Sequence, residues 1–228
     1  MPTFSECCQR FLPLVFAIGF IGGMVGCRSL RFYRLYGRSP IVVPRPGDSS
    51  AHAFLSRVLA VFFVVILALG TLAAFWPDGL AAVDLLYRPP GPALLVAGIA
   101  LAVLATVIVW RGQEDMASAW RIGMDPSERT ELVTRGLFRF CRNPIYLGLQ
   151  LALAAFCCLL PGYFTLGLLV NGAVLLQVQA RLEESYLLER HGPAYAEYCA
   201  WVGRFLPFTG RWPAPKTPLR KESDVHTD

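Results

Sequence analysis

Four long stretches of this chain contain no charged residue, and they constrain its fold more than any other feature of the sequence. They comprise 17, 20, 22 and 38 residues, and they are bounded by Arg10 and Arg28, Arg57 and Asp78, Arg88 and Arg111, and Arg142 and Arg181. A helix needs about 20 apolar residues to cross a bilayer core. With 55% hydrophobic and only 16% charged residues, the chain also has too little polar surface for a soluble globule. We therefore expect an integral membrane protein.

The 38-residue stretch is too long for one crossing, and Pro161-Gly162 divides it into two runs of 18 residues. This pattern predicts a helical hairpin. The sequence thus predicts an all-α membrane protein with five transmembrane helices, near residues 11–27, 58–77, 91–110, 143–160 and 163–180. The expected domains are an N-terminal three-helix membrane region (1–110), a core of cytosolic loop, hairpin and C-terminal cap helices (111–208), and a disordered tail (209–228).

The basic residues predict the orientation of these helices. If five helices alternate across the membrane, 19 of the 21 Lys and Arg residues fall on one side. Only Arg10 and Arg88 fall on the other. Because Lys and Arg accumulate in cytoplasmic loops, we expect an external N-terminus and a cytosolic C-terminus. The expected location is a bacterial inner membrane.

Several other classes of protein are disfavoured by the sequence. The net charge of +5 is explained by arginines that border the predicted spans and meet lipid headgroups, so no nucleic-acid partner is expected. The seven cysteines form no CxxC pair, and no metal site is expected.

The first span contains the GxxxG spacings Gly19/Gly23 and Gly22/Gly26, which favour close packing of a neighbouring helix.

The predicted hairpin brings two polar clusters together. Its antiparallel helices place the Arg142-Asn143 corner opposite the turn at residues 179–184, so both would form one pocket at the cytosolic membrane surface. Arginines that snorkel to the interface and pair with glutamates are the alternative interpretation of these charges.

Two extended motifs favour the functional interpretation. The segment 130–148 reads TELVTRGLFRFCRNPIYLG and resembles the TxLVTxGxYxxxRHPxYxG motif of the isoprenylcysteine carboxyl methyltransferase family. The segment 183–207 reads EESYLLERHGPAYAEYCAWVGRFLP and resembles the ending EExxLxxxFGxxYxxYxxxVxRxxP of that family. The related phospholipid N-methyltransferases share this C-terminal layout. The resemblance implies methyl transfer from S-adenosylmethionine by an integral membrane protein with no Rossmann-type fold.

The resemblance also implies which residues bind the cofactor. They lie in the loop before the hairpin, at the start of the fourth span and after the fifth: Thr130, Glu131, Leu132, Val133, Phe138, Arg142, Asn143, Pro144, Ile145, Tyr146 and Glu183. Glu183 could accept hydrogen bonds from ribose hydroxyls or the α-amino group. Arg142 could hold the cofactor carboxylate or brace Glu183. The ring of Tyr146 could attract the sulfonium.

The acceptor side of the pocket is less defined. Gln179 occupies the position where the prenylcysteine enzymes carry an arginine for the substrate carboxylate. Either Arg181 substitutes for that arginine, or the acceptor is not a carboxylate. Glu184 is the candidate base for an amine acceptor, and the alternative is a surface carboxylate paired with an arginine. Gln113, Trp120 and Arg121 resemble a loop segment of bacterial members, or they act as interfacial anchors.

The function expected from these features is methyl transfer from S-adenosylmethionine to a lipophilic acceptor at the cytosolic face. An isoprenoid or lipid carboxylate, an amine and a thiol all remain open as the reacting group. The expected partners are membrane lipids and this acceptor. The competing interpretation is a non-enzymatic membrane protein, such as a transporter subunit or an assembly factor, that keeps the helices without the activity.

Overall fold

The helices of the protein follow the charge-free stretches. The computed structural model describes residues 4–41, 50–120 and 131–213. Over these ranges the chain is helical and forms no strand, as the sequence predicts. The elements are α1 (Phe4–Ile21), a π-helical turn (Gly22–Cys27), α2 (Arg28–Tyr36), α3 (Ala51–Phe75), α4 (Pro77–Val83), α5 (Pro92–Met116), α6 (Pro144–Leu159), α7 (Tyr163–His191) and α8 (Pro193–Trp201). Two short 3₁₀ turns, Ala117–Ala119 and Gly136–Arg139, lie between α5 and α6.

Four helical runs in the described part of the chain are long and apolar enough to cross a membrane. They cover Gln9–Tyr36, Ala53–Phe75, Pro92–Met116 and Tyr163–His191. Helix α6 is apolar but has only 16 residues, which corresponds to about 24 Å. A bilayer core is about 30 Å thick. The protein is thus an integral membrane protein with four candidate spans, and a crossing by α6 stays a prediction.

The first helical run continues past Arg28, where the sequence predicted its end. Arg28 is only 4% exposed. Its Nη2 donates to the main-chain carbonyl of Gln113 at 2.7 Å, and its guanidinium lies 5.4 Å from the ring centroid of Trp120. Because these contacts hold the charge inside the protein, the arginine does not have to mark the end of the helix. The run ends instead at Gly37, whose φ of 68° is a left-handed conformation that glycine adopts readily.

The last long helix is also longer than its charge-free stretch. Helix α7 has 29 residues, about 44 Å, so it extends beyond a hydrocarbon core of about 30 Å. The residues after the predicted fifth span, which were expected to belong to the C-terminal cap helices, continue it as one helix. Helix α7 ends at Gly192, which has a φ of 53°.

Helices α5 and α6 pack closely along their length. Gly148 makes this approach possible, because a Cβ at this position would meet the side chain of Val109 and lie 3.2 Å from the carbonyl oxygen of Ala105. The GxxxG glycines of the first helical run have no such neighbour within this chain, since a Cβ added at Gly19 or Gly23 would meet no atom of the described residues within 4 Å. Helix α1 instead approaches α3 at Gly70, where an added Cβ would lie 3.1 Å from the Cα of Leu14. Close packing through the GxxxG glycines stays a prediction.

Asp84 joins the α4–α5 connection to the start of α7. Its carboxylate accepts hydrogen bonds from the main-chain N–H groups of Tyr163 (3.0 Å) and Phe164 (3.1 Å). It also accepts one from Leu86 at 3.1 Å. The side chain is 3% exposed. The first N–H groups of a helix have no partner within it, so Asp84 acts as a cap of α7. It thereby holds the turn of the hairpin, which lies at the end opposite to the charged Arg142-Asn143 corner.

We expect Asp84→Ala to destabilise the protein by about 2 kcal/mol, because it removes a helix cap and leaves three main-chain N–H groups without their acceptor. Thermal unfolding of the detergent-purified variant, followed by circular dichroism, measures this change. Asp78→Ala is the control, since Asp78 is an exposed residue of α4. Equal transition temperatures for the two variants would contradict the capping role.

Candidate active site

The candidate site lies where α6 begins. Pro144 occupies the first turn of α6, where its missing N–H is not needed. Just before it, the chain runs beside the C-terminal segment. The N–H of Arg142 donates to the carbonyl of Gly203 at 2.9 Å, and the N–H of Asn143 donates to the carbonyl of Arg204 at 3.1 Å. These two bonds attach the C-terminal segment to the end of the hairpin.

A buried carboxylate lies between two arginines at this junction. Arg142 Nε and Nη2 lie 3.1 and 3.0 Å from Glu184 Oε1. Arg204 Nη2 donates to Glu184 Oε2 at 2.7 Å. The side chains of Arg142 and Glu184 are 1% and 3% exposed, and that of Arg204 is 20% exposed. We call these three residues the ion-pair cluster. The hydrogen bonds to Glu184 raise the pKa of Arg204.

The remaining N–H groups of Arg142 hold the C-terminal segment. Its Nη1 donates to the carbonyls of Cys199 (3.0 Å) and Val202 (2.8 Å). Its Nη2 donates to the carbonyl of Gly210 at 3.0 Å. The guanidinium therefore donates four hydrogen bonds within the protein, in addition to its ion pair with Glu184. One role that the sequence left open for Arg142 was to brace Glu183. In the structure it braces Glu184 instead.

Glu183, the neighbour of Glu184, belongs to a different group of contacts. The hydroxyl of Tyr146 donates a short hydrogen bond to its carboxylate. The side-chain amide of Gln179 donates to the same carboxylate oxygen at 3.3 Å. Tyr146 comes from α6 and the other two residues come from α7. These contacts link the two helices of the hairpin next to the ion-pair cluster.

A cavity of about 480 Å³ opens beside these contacts. Its polar wall is formed by Glu131, Arg142, Asn143, Tyr146, Gln179, Glu183 and Tyr186. Its apolar wall comes from the first helical run, from α3 and from the start of α6, and includes Ile21, Met24, Val25, Leu59, Ala60, Phe63, Ile145 and Leu149. Two polar atoms of lining residues, Gln179 Oε1 and the Tyr186 hydroxyl, are buried without a hydrogen-bond partner among the described residues. The cavity thus offers carboxylates, unpaired polar atoms and a broad apolar surface to one ligand.

Two tyrosines of α8, the buried Tyr195 and the partly buried Tyr198, complete the wall. Burial raises the pKa of both Tyr195 and Tyr198, so both phenols keep their protons at neutral pH. The hydroxyl of Tyr198 accordingly donates to the main-chain carbonyl of Phe138 at 2.6 Å. Burial also raises the pKa of Cys141 to about 11. Cys141 is therefore a thiol at neutral pH and is not suited to act as a nucleophile.

The structure brings most of the predicted cofactor residues to this cavity. Glu131, Leu132, Val133, Phe138, Arg142, Asn143, Pro144, Ile145, Tyr146 and Glu183 all line it, as does the predicted substrate residue Gln179. Thr130 lies outside the described residues. The predicted catalytic residues are placed differently. Arg181 is exposed on α7, and Glu184 is enclosed by the two arginines of the ion-pair cluster. Neither residue is among those that line the cavity.

The sequence did not indicate the part of the cavity wall formed by the N-terminal helices. Met24, Leu59 and Phe63 line the cavity, but an apolar residue inside a charge-free stretch looks the same whether it faces lipid or a ligand. The aromatic residues Tyr195 and Tyr198 gave a signal, since their spacing predicts one helix face. In the described part of the chain, no group of three or more His, Cys, Asp or Glu side chains is arranged to hold a metal ion.

Comparison with known proteins shows which family this chain is similar to. Residues 93–194 match the family model of phospholipid methyltransferases. This range contains all of α5 except its first residue, the first motif, the hairpin and the start of the second motif. The family resemblance predicted from the motifs is confirmed, and the class indicated is that of membrane methyltransferases.

One solved structure is also similar to this chain. It is described as the eukaryotic intramembrane Ras methyltransferase ICMT, an isoprenylcysteine carboxyl methyltransferase. The similarity covers 87% of this chain and 70% of that chain, with 19% sequence identity and a TM-score of 0.47. Among curated proteins, none matches the chain significantly.

We expect Glu184→Gln to destabilise the protein by about 3 kcal/mol, because it leaves the buried charge of Arg142 without its counterion. The thermal transition in detergent should fall by about 6 °C or more. Glu189→Gln is the matched control, since Glu189 is an exposed residue of the same helix. Our account of the ion-pair cluster would be wrong if both variants unfolded at the wild-type temperature.

Proposed function

We propose that this protein transfers a methyl group from S-adenosylmethionine to a lipophilic acceptor that is dissolved in the membrane. One observation carries the proposal. A single cavity is bounded on one side by the polar residues of both motifs and on the other by apolar faces of α3 and the first helical run. This arrangement suits one polar and one lipophilic reactant that have to meet.

The residues of the polar wall fit S-adenosylmethionine. A volume of about 480 Å³ lies within the usual range for small-molecule sites, about 300–1,000 Å³. The carboxylates of Glu131 and Glu183 can accept hydrogen bonds from ribose hydroxyls and from the α-ammonium group. The rings of Phe138 and Tyr146 offer faces to the adenine and the sulfonium. Arg142 is not proposed to hold the cofactor carboxylate, since its donors already have partners.

When bound, S-adenosylmethionine supplies an electrophilic methyl group on a cationic sulfonium. The protein's contribution is to align the two reactants and to exclude water from them. A carboxylate or thiolate acceptor needs no base. Since Glu131 and Glu183 are carboxylates that line the cavity, an amine acceptor would release its proton to one of them. Arg181 and Glu184 take no chemical step in this proposal because neither lines the cavity.

A second, apolar pocket supports a lipophilic acceptor. It has a volume of about 50 Å³ and lies between α1, α3, α6 and α7. It shares Ile21, Leu59, Phe63 and Leu149 with the larger cavity and reaches Gly172 near the middle of α7. Apolar surface therefore continues from the cavity into the helix bundle, where it can receive a hydrocarbon group of the acceptor.

The orientation that we propose places the cavity at the cytosolic face. The 19 basic residues assigned to one side then lie in the cytosol together with the polar wall, where a soluble cofactor can enter. This orientation requires α6 to cross as the fourth of five spans, with the N-terminus outside. Helix α6 packs against α5 and α7, so protein rather than lipid surrounds much of its surface.

We expect membranes that contain the protein to transfer label from methyl-labelled S-adenosylmethionine to material that organic solvent extracts. Glu183→Gln should reduce this transfer at least tenfold, because it removes the charge of a partly buried carboxylate that lines the cavity, and a hydrogen bond to a charged group contributes about 1.5–3 kcal/mol. The exposed-site variant Glu189→Gln should transfer label like the wild type. Protein-dependent label that stays entirely in the aqueous phase would refute a lipophilic acceptor, and no protein-dependent label in either phase would contradict methyl transfer.

A further inference from the structure

Gln113 is a buried polar residue that the proposed chemistry does not yet use. It lies in the last turns of α5, is 2% exposed and lines the cavity. Its main-chain carbonyl accepts the hydrogen bond from Arg28 Nη2. Its side-chain Nε2 donates to the main-chain carbonyl of Met24 at 3.3 Å. Two contacts from the first helical run therefore fix Gln113 at the cavity wall.

The contact with Met24 defines the orientation of the amide. A carbonyl oxygen can only accept, so the atom that faces it is the amide nitrogen, and the other end of the group is Oε1. Gln113 Oε1 is buried and has no hydrogen-bond partner among the described residues. A buried acceptor without a partner is unfavourable and calls for an explanation, such as a bound molecule.

The local structure of the first helical run favours a functional explanation. Met24 lies in the π-helical turn Gly22–Cys27, and Arg28 follows directly after it. Irregular π-helical turns occur frequently at functional sites. The face of Trp120 covers the Arg28 guanidinium at 5.4 Å, and Trp120 also lines the cavity. The polar contacts that hold Gln113 are thus enclosed by protein and do not compete with bulk water.

We propose that Gln113 is a ligand-binding residue, whose Oε1 accepts a hydrogen bond from an N–H or O–H group of the molecule that occupies the cavity. This inference rests on the proposed function. The donor can belong to S-adenosylmethionine, which carries amino and hydroxyl groups, or to the polar end of the lipophilic acceptor. Both sources present the same chemistry to the amide oxygen, and binding and transfer measurements distinguish them.

The test uses Gln113→Met in the full-length protein, since methionine keeps the length and much of the volume but has no amide. Gln150→Met is the matched control. Gln150 is a partly buried glutamine of α6 whose Nε2 has no partner among the described residues, and it does not line the cavity. One arm is calorimetric titration of the purified proteins with S-adenosylmethionine. The other is methyl incorporation into organic-soluble material in membranes at saturating S-adenosylmethionine.

We expect Gln113→Met to impair one of these steps by about fivefold to tenfold, the size of effect expected for one lost hydrogen bond, while Gln150→Met matches the wild type. A raised dissociation constant assigns the donor to the cofactor. An unchanged dissociation constant with reduced incorporation assigns it to the acceptor. If Gln113→Met is not monodisperse, Gln113→Asn withdraws the oxygen by one methylene and should act in the same direction.

Wild-type binding and transfer in a folded Gln113 variant would overturn the inference and leave the proposed function intact. A lowered unfolding temperature with both functional readouts unchanged would have the same meaning, because it would show only a structural role. Failure of the wild-type protein to bind S-adenosylmethionine would contradict the proposed function and this inference together.

Discussion

The buried pair of Arg142 and Glu184 is the interaction on which the site depends. Arg142 precedes α6, Glu184 belongs to α7, and the other hydrogen bonds of Arg142 go to carbonyls of the C-terminal segment. Three separate parts of the chain therefore meet at one guanidinium. Because a buried charge without its partner is strongly unfavourable, these parts cannot separate independently. The fixed junction gives the cavity a defined polar wall.

The two adjacent glutamates of the second motif have different surroundings for a simple geometric reason. Consecutive residues of an α-helix point about 100° apart. Glu184 consequently faces the two arginines of the ion-pair cluster, whereas Glu183 faces Tyr146 and the cavity. The motif thus combines one carboxylate that holds the fold with one that lines the cavity. This division explains why we place Glu184 outside the chemistry.

The sequence predicted the helices and many residues of the polar wall. It predicted less well where the helices end and which side chains pair with one another. Uninterrupted apolar runs identify membrane helices because charges are costly in hydrocarbon. The same reasoning placed a helix end at Arg28, but tertiary contacts with Gln113 and Trp120 keep that charge within a longer helix. The sequence left two roles open for Arg142, and the structure pairs it with Glu184, the neighbour of Glu183 on α7. The other acceptors of Arg142 are main-chain carbonyls, and that of Gly210 lies in a non-helical segment that no periodicity relates to the hairpin.

Every chemical role proposed for these residues requires that the cavity at the end of the hairpin bind S-adenosylmethionine. Calorimetric titration of the detergent-purified wild-type protein with S-adenosylmethionine measures this binding. We expect saturable binding to a single site with a dissociation constant on the order of micromolar, a value within the ordinary range for cofactor sites. Folded, monodisperse protein that shows no saturable binding would contradict the proposed function.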